Sequence, residues 1–193
     1  PSMGGIIIVM VSILMLFIYY PSLNDIRLFI FGILIIALCG IYDDILDLKW
    51  VYKFVFQAIV AITILVDLSL VSSNISLLGI DLGSKLGPFI LFIFIVGTIN
   101  SINLMDGLDG LVSGYSLQKV LILVGLSIMN GDYFINILLI SLLGSILGFL
   151  RYNSNPASIF LGDTGSLALG FFLVYTTLRI TKTLFVDLSS FDL

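Results

Sequence analysis

Histidine and glutamate are both absent from this chain of 193 residues, and cysteine occurs once, as Cys39. Without histidine the chain lacks the commonest general base and the commonest nitrogen ligand for a metal. Any metal must then be held by oxygen, which favours Mg²⁺, with Mn²⁺ as the alternative, over zinc. A single cysteine inside an apolar run excludes a disulfide framework. Charge is scarce as well: charged residues make up 10% of the sequence, against about a quarter in a soluble domain. No basic patch for nucleic acid is present. Residues 1–20 have neither the basic start nor the small-residue cleavage site of a secretory signal. The chain opens on Pro1 and not on methionine, which leads to the expectation that it is part of a longer protein.

Hydrocarbon is what the sequence has in abundance. Hydrophobic residues make up 60% of the chain, and mean hydropathy is +1.23. A membrane-spanning helix needs about 20 mostly apolar residues, with a range near 17–25. Seven segments meet that need: Met3–Tyr20, Ile26–Tyr42, Val51–Val71, Leu86–Leu104, Leu111–Met129, Phe134–Leu150 and Ser166–Ile180. Backbone groups in lipid must be satisfied within the segment, so these segments are expected to be helices. The fold class expected is an all-α polytopic membrane protein with about seven transmembrane helices. A small β-hairpin is expected at residues 72–84, where two short apolar stretches flank Gly79. No internal repeat is evident.

All twelve acidic residues are aspartates, and six of them fall in three polar islands between the apolar runs. The first is Asp43-Asp44-Ile45-Leu46-Asp47. The second runs from Asn100 to Gly110, and the third from Phe160 to Ser166. Alternating crossings place all three at one end of the bundle. Carboxylates beside hydrocarbon are costly, and a chain that keeps them uses them. The other aspartates, Asp67 and Asp132 among them, fall near the opposite end and read as solvated loop charges; Asp67 lies close to a helix end. Lysine and arginine divide evenly between the two ends, so charge does not orient the chain.

Each island offers particular chemistry. If the second helix continues through the first island, Asp43 and Asp47 lie one turn apart, two like charges that call for a cation. Lys53 follows, with Gln57 one turn later on the same face, suited to contacting phosphate or to snorkelling. Asn100, Asn103, Asp106 and Asp109 recur every three residues, so successive members are helix neighbours. Gly107 and Gly110 then let the backbone leave the helix. In the third island Thr164 and Ser166 can cap the last helix, whose free N–H groups attract anions. Asp163 beside such a site makes sense if a divalent cation sits between them. The three islands together supply many oxygen ligands and no soft one, which points to Mg²⁺-dependent phosphoryl chemistry at a membrane surface.

At these residues the chain resembles the polyprenyl-phosphate N-acetylhexosamine-1-phosphate transferases. The resemblance covers Pro1 to Gly5, Asp43 to Asp47 with Lys53 and Gln57, Asn100 to Leu111, and Asn155 to Gly170. Asp47-Leu48 and the run Asn103 to Asp106 are more similar to the undecaprenyl-phosphate N-acetylglucosamine-1-phosphate branch than to phospho-N-acetylmuramoyl-pentapeptide transferase, where a lysine usually stands in place of Asp47. The resemblance implies that a polyprenyl phosphate attacks the sugar-linked phosphorus of a UDP-N-acetylhexosamine and that UMP leaves. It implies Asn103 and Asp163 as Mg²⁺ ligands. It implies that Asp43 and Asp44 hold or deprotonate the acceptor phosphate, and that Lys53 balances its charge. Asp106, Asp109 and Phe160 would line the uridine site, with Asn100 also on the substrate side.

The same resemblance implies a bacterial inner membrane location with the three islands cytoplasmic, and a role in an early membrane step of cell-envelope polysaccharide synthesis. The expected partners are the nucleotide sugar, the lipid phosphate and the membrane, with no nucleic acid and with a homodimer allowed. Residues 1–193 are then a single transmembrane catalytic domain, expected to lack one N-terminal span and the C-terminal spans with their histidine-containing loop. The reading from a different class is a cation-coupled transporter, whose sites favour broken helices in repeated halves at the bilayer midplane. A membrane scaffold indifferent to its aspartates is the third.

Overall fold

The computed structural model describes residues 3–189 apart from 21, 72–75 and 78–79. Among the described residues there are seven α-helices: α1 (Gly5–Tyr19), α2 (Arg27–Leu46), α3 (Trp50–Asp67), α4 (Gly83–Leu104), α5 (Leu111–Asn130), α6 (Tyr133–Asn153) and α7 (Gly162–Ser189). One 3₁₀ turn, Leu23–Ile26, leads into α2. The chain is an all-α polytopic membrane protein, and each expected span appears as a helix. Five helical segments are long and apolar enough to cross a bilayer: Asn24–Leu46, Trp50–Asp67, Gly83–Leu104, Leu111–Asn130 and Tyr133–Asn153. The α1 helix is apolar but shorter.

The α7 helix differs from those five because it sits at the centre. It packs against α1, α2, α4 and α5, and every residue from Thr164 to Thr176 is buried. A helix surrounded by protein has no lipid-facing side to keep apolar, so it can carry Thr164, Ser166, Gly170 and Thr176. Small residues let its neighbours come close. A Cβ on Gly5 would lie 2.0 Å from Gly165 Cα, and one on Gly40 would lie 2.3 Å from Thr164 Cα. These contacts wedge the first turn of α7 between α1 and α2. Around the outside, Met10, Leu34, Phe54, Ile93 and Leu147 stay about half exposed or more, as side chains facing hydrocarbon do.

Between α3 and α4, Ser76–Leu77 pairs antiparallel with Ile80–Asp81. This matches the hairpin expected at 72–84, except that Gly83 and Ser84 already belong to α4; residues 72–75 and 78–79 lie outside the described part.

Two aspartates depart from the sequence reading at this same end. Asp67 and Asp132 are not solvated loop charges. Tyr175 donates to Asp67 Oδ2 at 2.6 Å. Arg179 Nε donates to Asp132 Oδ2 at 2.7 Å, and Arg179 Nη1 donates to the Tyr175 oxygen at 3.1 Å. Lys182 Nζ reaches the Leu68 carbonyl at 2.6 Å. The Arg179 guanidinium also lies 4.6 Å from the Phe134 ring centroid. This latch ties α7 to the ends of α3 and α6. Just inside it, Phe29 packs edge-on to Tyr175 at 4.8 Å and to Phe134 at 5.2 Å.

Candidate active site

The three islands meet at the end of the bundle opposite the latch. The N-terminus of α1 joins them there: Gly4 N and Gly5 N donate to the Phe160 and Leu161 carbonyls, both at 2.9 Å.

The α2 helix runs four residues past the expected Tyr42 and stops at Leu46. Asp47 is the cap that ends it, in the left-handed region at φ 51°, and it is exposed. Its N–H still donates to the Asp43 carbonyl at 2.9 Å, so the two residues stand one turn apart, Asp43 buried and Asp47 exposed. Asp43 and Asp44 sit in the last turn of α2, where the helix dipole disfavours negative charge. Partners from other helices offset this. Asp43, 4% exposed, forms an ion pair with Lys53 of α3 and accepts from Leu48 N at 2.9 Å. Asp44 accepts from Asp163 N at 2.9 Å, Thr164 N at 3.0 Å and Thr164 Oγ1 at 2.6 Å. It thus caps the positive end of α7.

The second and third islands touch directly. Asn103 Nδ2 donates to Asp163 Oδ1 at 2.5 Å and to Ser166 Oγ at 2.9 Å. Asn103 is on the last turn of α4; Asp106 and Asp109 follow in the turn before α5, which Gly110 opens at φ 71°. Asn103, Asp106, Asp109, Asn153, Phe160 and Asp163 line one cavity of about 250 Å³. Small-molecule sites usually measure about 300–1,000 Å³, so this cavity is of a size for part of a small polar ligand. Asn100 is elsewhere: it faces a groove between α3 and α4 with Trp50, Lys53 and Gln57. A larger apolar groove, about 870 Å³, lies between α1 and α6 and holds none of the island aspartates.

Two residues that were not among the expected site residues shape the cavity. Ser113 Oγ donates to Asn153 Oδ1 at 2.8 Å, and Asn153 Nδ2 donates to the Ile159 carbonyl at 3.0 Å. Both side chains are buried. The available signal was an amide closing an apolar run, the feature that marked Asn103. Asp109 fixes the same loop by accepting from Ala157 N at 3.0 Å and Asn155 Nδ2 at 3.2 Å.

The site holds more negative charge than its own cation neutralises. Lys53 is matched to Asp43, while Asp44, Asp106 and Asp163 remain close enough to interact. The Asp106 carboxyl is pushed up to about 6, chiefly by burial and then by the charges of Asp163 and Asp44. Among the described residues no three acid, thiol or imidazole side chains close on one point. A hard divalent ion still fits: Asp163 and Asn103 could hold it, substrate oxygens could complete its shell, and the surplus negative charge favours it.

An all-α membrane protein with an oxygen-rich, acidic site at one end of its bundle is the class that fold and geometry define. Comparison with known families is more specific: the family model described as Glycosyl transferase family 4 matches residues 26–181, and the chain belongs to that family. Similar curated proteins carry the name phospho-N-acetylmuramoyl-pentapeptide-transferase. That of Caldanaerobacter subterraneus subsp. tengcongensis is 37% identical over 186 residues, covering 88% of this chain and 58% of the relative. That of Clostridium botulinum (strain Eklund 17B / Type B) is 33% identical over 199 residues, covering 96% and 61%. That of Wolbachia pipientis wMel is 37% identical over 198 residues, covering 94% and 60%. The chain spans about three fifths of the length of these relatives.

Proposed function

We propose that residues 1–193 form the transmembrane catalytic domain of an enzyme that moves an N-acetylhexosamine-1-phosphate from its UDP-sugar to polyprenyl phosphate, releasing UMP. The observation that carries this reading is the meeting of Asn103 with Asp163, 60 residues apart in sequence, beside the acidic cavity. A phosphate oxygen of the lipid attacks the sugar-linked phosphorus, a new phosphoanhydride bond forms, and the bond to UMP breaks.

Each residue has a part that its surroundings support. Asp163 and Asn103 would hold Mg²⁺, which when bound neutralises charge on the diphosphate oxygens. Asp106, Asp109 and Phe160 line the cavity that would receive the uridine part. Lys53, fixed by Asp43, presents a positive charge to the acceptor phosphate. A phosphate monoester loses its second proton near pH 6, so the acceptor is already largely ionised at neutral pH. Asp43 then orients Lys53 and the acceptor more than it abstracts a proton. Positioning and electrostatics can carry much of the rate in phosphoryl transfer. The location that goes with this chemistry is a bacterial cell membrane with the site on the cytoplasmic face.

On the sugar, two observations pull apart. Asp47 stands where the muramoyl-pentapeptide branch usually has lysine, which supports UDP-N-acetylglucosamine as donor. The names of the similar proteins support UDP-N-acetylmuramoyl-pentapeptide. The test supplies the full-length protein with undecaprenyl phosphate, Mg²⁺ and each radiolabelled donor in turn. Label in the lipid fraction from one donor identifies the sugar; label from neither overturns the proposal.

A further inference from the structure

We infer that Asp44 is a positioning residue, whose carboxylate caps α7 and so aims Asp163, and that it neither takes the acceptor's proton nor binds its phosphate. For its effect on catalysis this rests on the function proposed above. Both oxygens are committed: Oδ1 to Asp163 N at 2.9 Å, and Oδ2 to Thr164 N at 3.0 Å and Thr164 Oγ1 at 2.6 Å. Asp43 is arranged differently, against the Lys53 ammonium. The backbone is built around the Asp44 contact. Gly40, one turn earlier on α2, lets the two helices touch at Thr164, and a Cβ on Gly162 would meet the Asp44 oxygens at 2.9 and 3.0 Å.

Charge supports the same assignment. A carboxylate in the last turn of α2 is disfavoured by that helix and favoured by the N-terminus of α7. The N–H groups of Asp163 and Thr164 are thereby taken by Asp44 and not left for a substrate anion. The positive charge held in place beside the first island is Lys53, paired with Asp43. Asp163 is the residue whose own N–H Asp44 holds, and its carboxylate meets Asn103. Loss of the cap would release the turn that carries the proposed metal ligand.

The test compares Asp44→Asn, Asp44→Ala and Thr164→Val in the full-length protein. Three quantities are read: melting temperature without divalent ion, Mn²⁺ binding by electron paramagnetic resonance, and transfer with its pH profile. Asparagine keeps one of the two acceptor oxygens, so Asp44→Asn is expected to lose less transfer than Asp44→Ala, with an unshifted pH profile. Asp44→Ala is expected to melt lower and to lose about 10–100-fold in Mn²⁺ affinity and in transfer. Thr164→Val, which removes only the hydroxyl donor, should weaken Mn²⁺ binding in the same direction by less. Equal loss of transfer in Asn and Ala variants, with melting and Mn²⁺ binding unchanged, overturns the inference. If Asp44→Ala does not fold, Thr164→Val decides: unchanged Mn²⁺ binding while Asp44→Asn abolishes transfer also overturns it. Should the wild type itself transfer nothing, the functional proposal fails, and the melting and Mn²⁺ measurements still decide the role of Asp44.

Discussion

Tyr175 and Asp67, 108 residues apart in sequence, share a 2.6 Å hydrogen bond at the end of the bundle away from the carboxylate site. The same phenol oxygen accepts from Arg179, whose Nε is paired with Asp132. Three helices are thereby fixed to one another at a single level. Tyr175→Phe removes one donor and leaves the Asp67 carboxylate short of a partner. It is expected to lower stability by about 1–3 kcal/mol. Thermal unfolding in detergent measures this, and transfer per folded molecule should stay within a few-fold of wild type.

The wedge at the active end gives a second prediction. Gly40→Ala places a methyl 2.3 Å from Thr164 Cα, with backbone and not a flexible side chain in the way. Overpacking of this kind costs about 1–3 kcal/mol. Because the displaced element carries Asp163, transfer should fall with stability. Gly97→Ala is the control, since nothing lies within 4 Å of its added Cβ.

Asp106 makes a third prediction, on pH. Its carboxyl is pushed up to about 6 by burial and by Asp163 and Asp44, against about 3.9 in an unfolded chain. Between those values the folded state binds the extra proton. The contribution of this group to stability therefore falls as pH rises from about 4 to about 6. Melting temperatures measured without divalent ion should show this component in the wild type, and Asp106→Asn should lack it. An identical pH dependence in both proteins would remove Asp106 from the acidic cluster.

Much of this arrangement was legible in the chain. Polar residues in a sequence this apolar mark themselves, so the islands around Asp43, Asn103 and Asp163 stood out, and counting spans placed them together. The hairpin between α3 and α4 was visible as two short apolar stretches about a glycine. What could not be read was which carboxylate serves which partner. Asp43 and Asp44 are neighbours in sequence, yet one turns to Lys53 and the other to α7, a choice made by how the helices cross. The left-handed cap that ends α2 at Asp47 had no glycine to announce it. Asp67 and Asp132 looked solvated because Tyr175 and Arg179, their partners, lie in a distant segment. The central place of α7 likewise depends on contacts at Gly5 and Gly40 that have no local signature.

The shared end of the islands gives a fourth prediction. Cysteines introduced at Ser154 and at Lys49 should react with an impermeant thiol reagent from the same side of sealed vesicles. Both residues are exposed, next to the third and first islands. Labelling from opposite sides would contradict the topology.

The central claim is that Asp163, held beside Asn103, supports a divalent ion during phosphosugar transfer, and one comparison tests it most directly. Full-length wild type and Asp163→Asn are assayed side by side for transfer of label from the UDP-sugar to undecaprenyl phosphate across a Mg²⁺ titration. The wild type should be inactive without Mg²⁺ and rise with it, while Asp163→Asn stays at least about a hundredfold lower at every concentration. Near-normal transfer by Asp163→Asn would contradict the account.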